Sequence, residues 1–115
     1  HSFTVISGHL PPGHKDSRNN WDALAHTGGT LVVIMGVKNA PKITAAIIDA
    51  GRASETPAIV IQEGTTTNQR GYRCTLGTLV ETMKMHNIQP PAVYVIGDVA
   101  GLSTMSLNSE EPTSI

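Results

Sequence analysis

Four short apolar segments, each reaching a glycine within two residues of its end, constrain this chain more than any other feature. They are FTVIS (3 to 7), TLVVIM (30 to 35), AIVIQ (58 to 62) and AVYVI (92 to 96). Their β-branched content and the turn formers around them predict strands. Their apolar character is nearly continuous instead of alternating, which predicts strands covered on both faces, as in a largely parallel α/β sheet.

The stretches between them read as helices. In KNAPKITAAIIDAGR, Pro41 suits the first helical turn, Ile43, Ala46, Ile47 and Ala50 recur at helical spacing, and Gly51 terminates the run. NNWDALAHTGG offers asparagine caps before a short helix carrying Trp21, Leu24 and Ala25, with a stop at Gly28 and Gly29. In TLGTLVETMKMHN, Thr75 or Thr78 can cap, with Glu81 completing a box from Thr78; Leu76, Leu79, Val80 and Met83 form the buried stripe. A fifth strand is predicted at RGYRC (70 to 74). The connection from strand 58 to 62 is too short for a parallel crossover, so these two strands run antiparallel if they pair. The expected fold is therefore α/β, a mixed, mostly parallel five-stranded sheet flanked by helices. Residues 1–102 form one domain, and the polar tail 103–115, without periodicity, is expected to be mobile.

Charge and composition exclude several partners. The net charge of -1 gives no electrostatic case for nucleic acid or an anionic membrane. No apolar run approaches the roughly 20 residues that span a bilayer, and the first residues do not read as a signal peptide. A cytoplasmic setting is expected, consistent with one cysteine, Cys74, which cannot form an internal disulfide. The start at His1, with a strand already begun at residue 3, points to a chain cut from something longer.

In open α/β sheets, ligands bind outside the carboxyl ends of the strands. Those ends read Ser7-Gly8-His9, Met35-Gly36, Glu63-Gly64-Thr65 and Gly97-Asp98. Glycine there admits a close ligand or simply makes the turn. GHLPPGHK (8 to 15) comes close to a phosphate loop and fails on chemistry. Pro11 and Pro12 offer no N–H, His14 takes the lysine position and Asp16 brings the wrong charge. The five histidines show no metal-ligand spacing, although His9 sits at a strand end. Cys74 has no base partner in reach of the pattern and reads as a small strand residue. Met35 closes an apolar strand and could be a core methionine or an edge residue. No complete catalytic set can be placed.

Taken together, VISGHLPPG, TLVVIMGV, AIVIQEGTTTNQR, CTL and PPAVYVIGDV resemble, in this order and spacing, the C-terminal half of the uroporphyrinogen-III methylases in the tetrapyrrole methylase family. The resemblance covers residues 1 to about 101. It implies S-adenosylmethionine as methyl donor, uroporphyrinogen III as tetrapyrrole substrate, precorrin-2 as product on the routes to sirohaem and cobalamin, and a homodimer of two-domain subunits. By this resemblance Met35 and Gly64 contact the donor, with Gly36 and Thr65 as weaker neighbours. The family's N-terminal domain, which carries the residues proposed to move protons, has no counterpart here, so the chain alone is expected to be inactive and contributes no catalytic residue or metal ligand. Two other readings predict the same core: a methylase of a later corrin intermediate or of a non-tetrapyrrole substrate, and a non-enzymatic α/β module that binds a partner or dimerises. They differ in whether the Met35 and Gly64 backbones lie exposed and close together.

Overall fold

The computed structural model describes residues 3–15, 20–26, 29–63 and 69–97. The strands are β1 (Phe3–Ser7), β2 (Thr30–Ile34), β3 (Pro57–Glu63), β4 (Gln69–Thr75) and β5 (Ala92–Ile96). The helices are α1 (Trp21–Ala25), α2 (Ala40–Asp49) and α3 (Leu79–Met85), the last preceded by a 3-10 turn over Leu76–Thr78. One five-stranded sheet runs in the order β1-β2-β5-β3-β4.

The sheet is mixed, as expected, and β1, β2 and β3 share one direction. Only β1 and β2 form a parallel pair, however, because β5 lies antiparallel between β2 and β3, and β4 is antiparallel to β3. Chain direction explains this. The hairpin from β3 reverses the chain in β4; α3 then carries it back along the sheet, so β5 must run with β4 and against the rest.

Helix ends are set locally. Asn20 caps α1, its side chain accepting the Ala23 N–H at 3.0 Å. Pro41 lies in the first turn of α2, where its missing N–H costs nothing. The box before α3 differs from expectation. Thr75 and Thr78 cap each other reciprocally around the 3-10 turn, and Thr78 makes no side-chain cap bond to α3, so Glu81 takes no part. The Thr78 hydroxyl is already committed to the Thr75 N–H at 3.0 Å.

The strands are not covered equally on their two faces. Ile6, Leu31, Val33, Ala58, Val60, Tyr94 and Ile96 turn to one face and form a single core with Trp21, Ile43, Ile47, Leu79 and Met83 from all three helices. On the other face Ile59 and Val95 are buried with Val32 and Ile61 packed beside them, and no helix joins that cluster. Phe3 and Val5 are each 65% exposed. Helical cover among the described residues is thus one-sided, while the buried Ile59 and Val95 show that the central strands are covered on the other face too, as their near-continuous apolar character predicts.

Candidate functional site: a cavity at the carboxyl edge of the sheet

Because β2 and β3 are both antiparallel to β5, their carboxyl ends emerge at the same edge. Val93 faces Ile34 on one side and Ile61 on the other. Two strand spacings, about 10 Å, therefore separate the β2 and β3 ends. Residues just before β5 fill the space between them. The Glu63 N–H donates to the Pro91 carbonyl at 3.2 Å, and the Gln62 side chain accepts the Gln89 N–H at 2.9 Å.

A cavity of about 760 Å³ opens at this edge, lined by His9 from the β1 turn, Met35, Val37 and Lys38 after β2, Glu63 at the end of β3, and the start of β5 from Pro90 to Val93, with Ile34 and Ile61 beneath. This is the size of an ordinary small-ligand site, and its walls are largely apolar with few charged groups. Among the described residues no three His, Cys, Asp or Glu side chains converge to hold a metal ion.

Met35 is no core methionine. Its side chain is 62% exposed, and its backbone takes φ +55°, a conformation uncommon for a residue with a Cβ. Gly36 is buried behind it. A Cβ on Gly36 would lie 2.8 Å from the Tyr94 hydroxyl, and one on Gly8 would lie 2.6 Å from the Gly36 Cα, so the two turns pack backbone to backbone. The Gly8 N–H extends the pairing, donating to the Ile34 carbonyl at 2.7 Å. Tyr94 donates its hydroxyl to the Gly36 carbonyl at 3.0 Å; burial pushes its pKa up and keeps the proton in place. Asn39 donates to the Gly8 and His9 carbonyls at 2.8 and 3.0 Å.

Of the residues singled out in the sequence, Met35 and His9 line this cavity and Gly36 supports it. Gly64 and Thr65 lie outside the described residues. Gly97 is at the wrong edge. As β5 is reversed, Gly97 ends it beside Pro57 and Thr30, where its N–H donates to the Pro57 carbonyl at 2.8 Å. Arg52 closes that edge, donating to the Gly29 carbonyl at 3.0 Å, and desolvation lowers its pKa. In exchange the reversal delivers Pro90, Pro91, Ala92 and Val93 to the cavity, which the sequence reading missed. The signal was there: a strand that follows a hairpin and one crossover helix must run backwards.

Cys74 plays no part in this edge. It lies in β4, where burial pushes its thiol up from 9.0 to about 11, against a smaller lowering by a hydrogen bond with Thr82. The folded protein holds this proton more tightly than the unfolded chain. The resulting stability is complete below the unfolded value near 9.0 and is lost as pH rises toward about 11. At pH 8 an aromatic disulfide reagent should react with native Cys74 at least tenfold more slowly than with the urea-unfolded chain, about the factor expected of a largely protonated, half-buried thiol. Equal rates would contradict that environment.

An α/β domain whose strand ends open on an apolar, small-ligand cavity describes many enzymes, and the comparisons narrow it to one class. The family profile of the Tetrapyrrole (Corrin/Porphyrin) Methylases matches residues 1–80, and the chain belongs to that family. It is 40% identical over 101 residues to a siroheme synthase of Stutzerimonas stutzeri, covering 88% of this chain and 21% of that protein. It is 37% identical over 105 residues to the uroporphyrinogen-III C-methyltransferase of Priestia megaterium, covering 89% of this chain and 42% of the relative. The structure superimposes with a TM-score of 0.68 and 26% identity on the uroporphyrin-III C-methyl transferase of Thermus thermophilus complexed with S-adenyl homocysteine, over 89% of this chain and 44% of that one. The chain thus spans less than half the length of each of these relatives.

Proposed function

We propose that this chain is the C-terminal part of a uroporphyrinogen-III C-methyltransferase and supplies one wall of its methyl-donor site. The observation that carries the reading is the shared edge of β2 and β3, with Met35 exposed in a left-handed turn above an apolar cavity. An adenosyl group needs backbone hydrogen-bonding groups and an apolar bed more than it needs charge; this edge offers the apolar bed, and the exposed Met35, between the already bonded Ile34 and Gly36 carbonyls, is the residue we assign to the backbone contacts. Met35 and Gly36, with Gly64 and Thr65 after β3 in the sequence, are the residues we assign to it.

S-adenosylmethionine, as a sulfonium, brings a methyl group already activated for transfer. What remains for the protein is to place donor and pyrrole carbon in line, exclude water and handle protons. Met35, Ile34, Ile61 and Val93 would orient the donor's apolar body and keep water away from that side. The other wall and the proton-handling groups belong to a leading domain. In this reading the working enzyme is a cytoplasmic homodimer of two-domain subunits that converts uroporphyrinogen III to precorrin-2, and the chain alone transfers no methyl group.

Titration of the 115-residue chain with S-adenosylhomocysteine tests this. Calorimetry should register weak or undetectable heat, while millimolar ligand should shift the amide resonances of Met35, Gly36 and Val93 in a labelled sample. Micromolar affinity would show that the second wall is dispensable. No shift at that edge at any concentration would remove the donor wall itself.

A further inference from the structure

The cavity rim is built from two turns, and each is held by a buried side chain that comes from outside it. Tyr94 is fully buried in β5, where a phenol must find a hydrogen-bond partner. Its partner is the Gly36 carbonyl. On the other side of Met35, the Ile34 carbonyl is taken by the Gly8 N–H. Met35, the residue with φ +55°, therefore sits between two anchored carbonyls. A left-handed non-glycine residue persists only where its surroundings over-determine it, and these two bonds are that constraint. Asn39 does the corresponding work on the adjacent turn, spending both amide protons on the Gly8 and His9 carbonyls. The pattern is the same in both turns: the glycine is buried, and the residue beside it, Met35 or His9, faces the cavity.

A phenylalanine at position 94 would fill the core as well as the tyrosine does. Among the described residues the hydroxyl bonds only beneath the rim, to the Gly36 carbonyl. Glycine at position 36 also fits this role, since a Cβ there would approach the hydroxyl to 2.8 Å and displace it. We propose that Tyr94 is a positioning residue of the candidate site: through the Gly36 carbonyl it holds Met35 in the left-handed turn that presents its backbone and side chain to the ligand. The ligand half of this statement rests on the donor-wall reading above; the conformational half does not.

The test is a double-mutant cycle in the 115-residue chain, pairing Tyr94→Phe with Met35→Gly, because glycine adopts the left-handed turn without help. In isotopically labelled protein, Tyr94→Phe should move the Met35 Cα shift and HN–Hα coupling away from left-handed values. The resonances of β4 should stay in place. S-adenosylhomocysteine should bind about five- to tenfold more weakly, the scale of one lost hydrogen bond. In the Met35→Gly background the same Tyr94→Phe change should alter binding by less than about twofold. Unchanged Met35 parameters after Tyr94→Phe overturn the proposal, and so does an equal loss of affinity in both backgrounds, which is what a merely structural role would give. Should Tyr94→Phe alone fail to fold, its folding in the Met35→Gly background supports the coupling, and failure in both overturns it. If wild-type protein shows no response to ligand, the donor-wall reading falls, while the Met35 coupling still decides the role of Tyr94.

Discussion

Gly8→Ala should lower the melting temperature by about 10–15 °C, a larger loss than alanine causes at the turn glycine Gly13. A Cβ at this position meets the Gly36 Cα at 2.6 Å, Ile43 Cδ1 at 2.9 Å and Val33 Cγ1 at 3.0 Å. The first of these is backbone and cannot rotate away, and the other two belong to the core. Overpacking of this kind costs about 1–3 kcal/mol and occasionally more, and the backbone clash places it at the upper end. For a domain of this size each kcal/mol is worth roughly 3–6 °C. Gly13→Ala provides the contrast, as a Cβ there meets nothing within 4 Å and only φ +87° opposes it; about 1 kcal/mol is expected. Circular dichroism melts of the two variants decide the matter. A drop below about 3 °C for Gly8→Ala would mean that the β1 and β2 turns are not in contact, and the rim built on them would lose its base.

Much of this edge could be read in advance because strand ends announce themselves. Met35 and His9 follow apolar runs that end at glycines, and both line the cavity. The antiparallel β4 followed from a loop too short for a crossover. The same logic carried one element further fixes the direction of β5; stopping short of it put Gly97 at the site and left out Pro90 to Val93. The Thr78–Glu81 box is an error of another kind, since Thr75, the alternative cap, is the one that forms. Thr75 and Thr78 both satisfy a capping pattern, and only the 3-10 turn between them decides which hydroxyl is free. Tyr94 and Asn39 gave no signal by position, since each acts on a turn far away in the chain, 58 and 31 residues from its partner. A tyrosine inside an apolar strand does raise the question of where its hydroxyl goes, and that question was the available clue. Gly64 and Thr65 rest on the sequence resemblance alone.

Leu31→Ala and Phe3→Ala separate the buried middle of the sheet from its exposed β1 edge, which the sequence presents as equally apolar. Leu31 is 0% exposed, in β2 between β1 and β5, and belongs to the core shared with the helices. Its truncation should cost about 3–4 kcal/mol, the transfer term plus the cavity left behind. Against a total stability of about 5–15 kcal/mol for a single domain, that leaves the variant partly unfolded by mild denaturant. Phe3 is 65% exposed at the start of β1, so its truncation should change stability by less than about 0.5 kcal/mol. Urea titrations give both values, and an unchanged m confirms that the unfolding transition remains the same. Similar costs at the two positions would show that Phe3 is covered in solution, and the exposed β1 edge would fail. Ile34, Ile61 and Val93 of the cavity floor alternate with the helix-facing residues and so lie on the same face as Phe3, at its other end, since Phe3 pairs with Thr30 at the start of β2.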